Sequence, residues 1–207
     1  MAQRNTATSS GQNNKSVSVL AKLQNSYRRN EAYPKINDEE GPKLIQAASR
    51  NIFDDVVYFA KMKPKSNPIN GQDRYGYTAL HYAVSNGNLA MASFLLENGA
   101  NLEVENRYKW TPLLEAVLHN GLDVMSLLLE KGANLEVRDR DDYTPLLRAA
   151  YNNNLDMVSL LLEKGANPIV QNNDEKTPVL LTTDSNVEAY IEGYLMAKEE
   201  AKQWGHW

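Results

Sequence analysis

The chain has 207 residues, 42% of them hydrophobic and 23% charged, with a formal net charge of −4 and no cysteine. That charge is too mild for a nucleic-acid binder, and the lack of cysteine excludes disulfides, thiolate zinc sites and cysteine nucleophiles while suiting a reducing compartment. No apolar run approaches the roughly 20 residues that span a bilayer. Residues 1–14 lack the apolar centre of a secretory signal, so the expected location is the cytosol or structures built within it.

In chain order, residues 1–38 read as a tail. Residues 1–16 are rich in Ser, Thr, Asn and Gln and hold no large apolar side chain beyond Met1, so they cannot bury enough surface to offset their ordering entropy. The tail has six Lys and Arg against Glu31 and Asp38, hence +4, which leaves −8 for the rest. Val17, Leu20, Leu23 and Tyr27 fall near helical spacing after Ser16, a suitable N-cap. A short helix over 17–29 would dock on a partner or fold back as a cap; the residues leave both open.

A repeat organises the remainder. Thr78, Thr111, Thr144 and Thr177 each open a similar four-residue motif and stand 33 residues apart. The segment Leu-Leu-Glu-Asn/Lys-Gly-Ala-Asn, beginning at Leu95, Leu128 and Leu161, keeps the same step. Two unrelated motifs with one period mark a structural repeat. Each Thr suits a helix N-cap, and Pro112, Pro145 and Pro178 follow at the first helical position, where a missing N–H costs nothing. Ala83, Ala116 and Ala149 let neighbouring helices approach. A second helix is amphipathic through Leu122, Met125, Leu128 and Leu129, and through Leu155, Val158, Leu161 and Leu162. Gly99, Gly132 and Gly165 end it in a left-handed C′ conformation.

These residues resemble the ankyrin repeat family, whose repeat has 33 residues, a T-P-L-H opening and a leucine-rich second helix closed by G-A. The resemblance implies an all-α solenoid of about five repeats, over 37–72, 73–105, 106–138, 139–171 and 172–197, with β-turn fingers between helix pairs. The domain expected is therefore 39–197, preceded by the tail 1–38 and followed by a helical extension over 198–207 that breaks at Gly205. Leu44, Ala47, Phe53, Val57, Tyr58 and Phe59 match the opening repeat, whose closing loop is about three residues longer. Val187, Tyr190, Ile191, Tyr194 and Leu195 supply the apolar stripe of the closing one. Two departures stand out. The motif's His is present only as His81, with Leu114, Leu147 and Leu180 elsewhere. The finger-turn glycine is present only as Gly76, with Lys109, Asp142 and Glu175 at the matching places, so the resemblance implies the fold but not the detail of those turns.

The residues contain no constellation for catalysis, and neither cofactor nor metal is expected. His81 falls on a structural position, His119 on the exposed end of a helix, and His206 in the terminal tail. The cluster Asp139, Asp141 and Asp142 lacks the Gly and bidentate Glu of a calcium loop and reads as a solvated turn. The resemblance instead implies protein binding through the fingers and the exposed end of each first helix. That places candidates at Arg74, Tyr75 and Tyr77; Arg107, Tyr108 and Trp110; Arg140, Asp141 and Tyr143; and Leu118, His119 and Tyr151 on the helix ends. Tyr, Trp and Arg are the residues enriched at interface hot spots; alternatively the rings pack on one another along the fingers. The function expected is a non-enzymatic adaptor or scaffold, its basic tail steering toward an acidic partner. The alternative is a structural component of a cytoskeletal or axonemal lattice such as tubulin's. Terminal Trp204 and Trp207 read as a cap on the last repeat or as a partner contact.

Overall fold

The computed structural model describes residues 43–62, with the Met62 side chain excepted, and residues 68–203. The tail with its candidate helix, the long closing loop beyond Met62, and Trp204, Gly205, His206 and Trp207 lie outside the described residues.

Among the described residues there are ten helices and no strands: α1 Lys43–Ser49, α2 Phe53–Met62, α3 Ala79–Ser85, α4 Leu89–Glu97, α5 Pro112–Leu118, α6 Leu122–Glu130, α7 Pro145–Tyr151, α8 Leu155–Glu163, α9 Pro178–Leu181 and α10 Ser185–Gln203. The odd-numbered helices form one row and the even-numbered ones a second. Each helix packs mainly on its partner in the pair and on its neighbours in the row. The chain is an all-α solenoid.

The local signals act as the residues suggest. Thr78, Thr111 and Thr144 have extended backbones, and their hydroxyls accept from the amides of His81, Leu114 and Leu147. Thr177 makes no such bond, and α9 has only four residues. Gly99, Gly132 and Gly165 have φ of 88°, 87° and 97°, a region open to glycine without steric cost. Ala83, Ala116 and Ala149 are fully buried, as are Leu95, Leu128 and Leu161.

Four details differ from the sequence reading. In α2 the fully buried residue is Val56, while Val57 is half-buried. Leu155 is exposed at the start of its helix. The Asp139 cluster is a turn that is only partly solvated, because Asp139 is buried against Arg148 while Asp141 stays exposed. The finger turns without glycine keep the glycine geometry, with φ of 59° at Lys109, 65° at Asp142 and 58° at Glu175 against 83° at Gly76.

Candidate interaction surface

Each finger is a five-residue turn held by one side chain that the sequence reading missed. The Oδ1 atoms of Asp73, Asn106, Asp139 and Asn172 each accept two backbone amides, from the residues two and four places later, at 2.8–3.0 Å. The same four residues exchange backbone hydrogen bonds with the far arm of the turn, as in Asn106 N–H to the Trp110 carbonyl at 3.0 Å. An Asx side chain of this kind takes over the work of a backbone turn. The left-handed residue is thereby tolerated in three fingers without glycine. Gly76 is obligatory, since a Cβ there would lie 2.9 Å from the Asn106 Cα.

Fingers are linked along the stack. Gln72 Nε2 donates to the carbonyls of Gly76 and Glu105, and Arg138 donates to those of Asp142 and Gln171. The Arg107 amide donates to the Tyr75 carbonyl at 2.9 Å. His81 adds a tie between repeats: its Nε2 donates to the Trp110 carbonyl at 3.0 Å, so its Nδ1 is the acceptor for the Thr78 amide and hydroxyl. Burial lowers the pKa of this imidazole, against an opposing contribution from the Trp110 carbonyl.

Behind the fingers, the fifth residue from Thr78 and from Thr144, inclusive, bonds to its own finger. Tyr82 donates to Asp73 Oδ2 at 2.7 Å. Arg148 donates to Asp139 Oδ2 at 2.6 Å and Asp141 Oδ2 at 2.7 Å, with its guanidinium 4.2 Å from the Tyr143 ring centre. Burial alone would depress Arg148; these carboxylates outweigh it and raise its pKa. In the middle repeat the position is Glu115, 1% exposed. Its carboxyl is pushed up to about 7 by burial, and a hydrogen bond from Tyr77 only partly offsets this. Glu115 Oε2 and Asn106 Nδ2 are both buried without a hydrogen-bond partner among the described residues.

The twelve candidate residues fall on one side of the stack, at the fingers and the inner-helix ends. Arg74, Tyr75, Arg107, Tyr108, His119, Arg140, Asp141 and Tyr151 are exposed; Tyr77, Trp110, Leu118 and Tyr143 are half-buried. The ring contacts of these candidates lie within repeats: Tyr77 packs on His81 and Tyr82, Tyr108 on Trp110 at 5.0 Å, and Tyr143 on Tyr151 at 6.0 Å. Beside the helix ends, a groove of about 410 Å³ runs between the second and third repeats, lined by Asn86, Gly87, His119, Asn120, Gly121 and Asp123 among others. It opens where glycines replace a side-chain pair, since Asn88 meets Asn51 at 2.7 Å and Asn154 meets Asn120 at 3.2 Å at the flanking boundaries. Among the described residues, no three His, Asp or Glu side chains are grouped to hold a metal, and no helix is long and apolar enough to cross a membrane.

The missed residues carry a signal of their own. Asp or Asn recurs every 33 residues five places before each Thr, but alternation between the two hides the pattern from a search for identity.

Comparison with known proteins places these features in company. A family profile described as ankyrin repeats matches three times, over residues 6–106, 44–139 and 102–172. The human BCL-6 corepressor-like protein 1 is 42% identical over 67 residues, and its mouse counterpart 40% identical over 67 residues. Each alignment covers 32% of this chain and 4% of the relative.

Proposed function

The chain belongs to the ankyrin repeat family, and from that premise we propose that it is an adaptor whose partner docks across the middle finger, on Tyr108 and Trp110. Ankyrin repeats form protein–protein interaction modules; the partner and the surface used are the added reading. The observation that supports it is the Tyr108–Trp110 pair. The rings lie 5.0 Å apart and tilted by 31°, Tyr108 is 46% exposed, and neither ring has another ring contact among the described residues. Large, rigid, partly exposed rings beside Arg107 have the chemistry of a binding hot spot.

Trp110 supports the fold through its backbone, which accepts from His81 and from Asn106, and alanine would keep those bonds. The double variant Tyr108→Ala, Trp110→Ala is therefore expected to lose partner capture, with a melting temperature lowered by no more than a few degrees. Cross-linking in detergent-extracted cells, followed by mass spectrometry and repeated with the variant, measures the capture. A collapse in melting temperature would make the rings structural. Cross-links to filament proteins in an insoluble fraction, from residues away from these rings, would favour a permanent cytoskeletal component instead.

A further inference from the structure

The fingertips hold cations that the fold does not use. Arg74, Arg107 and Arg140 occupy the same place in three successive fingers, and all are exposed. The ion pairs among the described residues engage Arg138, Arg148 and Lys202 and leave these three out. Arg74 lies over its own Tyr75 ring at 4.8 Å. The third finger's carboxylates are occupied within the chain, Asp139 and Asp141 by Arg148 and Asp142 by Arg138, so Arg140 is left to face outward.

Lys109 makes the same point independently. It is exposed and has a φ of 59° where the first finger has glycine, a region disfavoured for any residue with a Cβ. Asp142, at the same place in the next finger, uses its side chain to hold Arg138. Among the described residues the Lys109 side chain forms no hydrogen bond or ion pair. The Asx turn supports this conformation in the fourth finger as well, at Glu175, so what Lys109 adds is an exposed charge two residues from Arg107.

Spacing then describes the partner. Packed helices stand about 9 Å apart, which agrees with two hairpin arms of about 4.8 Å each per finger. A peptide extended in the polyproline II conformation rises about 3.1 Å per residue with three residues per turn, so every third side chain falls on one face and meets the next finger. Tyr75 and Tyr108, 44% and 46% exposed, offer apolar contact between the charges.

We propose that the row Arg74, Arg107, Lys109 and Arg140 reads an acidic, extended peptide segment carrying Asp or Glu at about every third residue. This rests on the interaction surface described above and names the chemistry of its ligand.

The test uses the full chain and a fluorescein-labelled twelve-residue peptide with Glu at every third place and Ser and Leu between, followed by anisotropy. The peptide should bind, and binding should weaken as salt rises. Lys109→Gly should weaken it about fivefold while raising the melting temperature by about 2 °C through relief of the left-handed strain. Reversing all three arginines to Glu should cost at least about thirtyfold with the melting temperature little changed. The proposal falls if Lys109→Gly binds as the parent does, if a Lys-for-Glu peptide binds equally well, or if clustering the same glutamates leaves affinity unchanged. It falls too if single-stranded RNA outcompetes the peptide, since the row would then read phosphates. If the peptide fails while cellular partners are still captured through Tyr108 and Trp110, the acidic ligand is wrong and the interaction surface stands. If capture also survives the loss of those rings, both readings fall.

Discussion

Glu115 and His81 are buried titratable residues on the inner row, and burial moves them in opposite directions. The folded pKa of Glu115, about 7, lies above its ordinary value near 4.5. The folded state therefore holds this proton more tightly than the unfolded state does. The associated stability is complete below pH 4.5 and is lost as pH rises through about 7. A shift of this size corresponds to about 3 kcal/mol at most. For His81 the folded pKa is lowered, so its contribution is complete above about 6.5 and declines as pH falls below it. Glu115→Gln removes one of the two titrations and keeps an acceptor for Tyr77. The variant is expected to be about 1–3 kcal/mol more stable than the parent at pH 8 and nearly equal to it at pH 5, read as the difference between denaturant midpoints at the two values. A difference that stays constant between them would mean that Glu115 titrates normally. This residue was not legible in the sequence as special. Tyr82, Glu115 and Arg148 share a repeat position but no chemistry, and the role of each comes from a finger residue distant in sequence, Asp73 for Tyr82, Tyr77 for Glu115 and Asp139 for Arg148. The finger arginines and aromatics were legible because arginine recurs at one place and an aromatic ring at another.

At the scale of the element, what was legible was what a backbone demands locally. A Thr–Pro start and a Gly end need no partner to be understood, and both motifs carried the helix boundaries. Packing registers were less legible. Val56 and Val57 are adjacent and identical, and only the approach of α4 and α1 decides which one is buried. The closing helix shows the same limit, since α10 continues through Gln203 on a stripe whose Tyr190, Tyr194 and Leu195 are only partly covered. One helix start invites a direct test. α4 and α8 are capped by Asn88 and Asn154, whose Oδ1 atoms accept from Met91 and Met157 at 2.9 and 3.1 Å. α6 starts from Gly121 with no side-chain bond, at φ −84° and ψ 72°, close to the −84° and 87° of Asn88. A Cβ at Gly121 would meet the Ala116 carbonyl at 3.7 Å, an ordinary contact. Gly121→Asn should therefore stabilise the protein by about 1 kcal/mol, a few tenths from the cap and the rest from a less flexible unfolded chain. Thermal melts should show a rise of about 2–4 °C. A fall would mean that the groove between repeats two and three cannot admit the side chain.

At the scale of the whole molecule, each repeat packs on its immediate neighbours, so the worth of a side chain depends on whether a neighbour follows it. Leu114, Leu147 and Leu180 occupy one repeat position, four residues from Thr inclusive. Leu114 and Leu147 are fully buried, whereas Leu180 is 62% exposed, because no described repeat follows α9. Ile169 tells the same story in the loops. Asn70, Glu103 and Glu136 at its position each accept the amide of an Asn one repeat on, at 2.7–2.9 Å, while Ile169 accepts nothing and is 64% exposed. In a quasi-one-dimensional stack, stability is approximately a sum of repeat terms and interfaces between neighbours. Leu147→Ala removes buried methyl groups from an interface with repeats on both sides and should cost about 2–5 kcal/mol. Leu180→Ala, the same change at the same repeat position, should cost less than about 0.5 kcal/mol. Urea unfolding of the two variants beside the parent measures both, and equal losses would require a further layer of protein over α9. Among the described residues the array therefore has a saturated interior and an uncovered α9, and the middle finger with Trp110 lies within that interior, where the preceding repeat holds its backbone through His81 and the Tyr75 carbonyl.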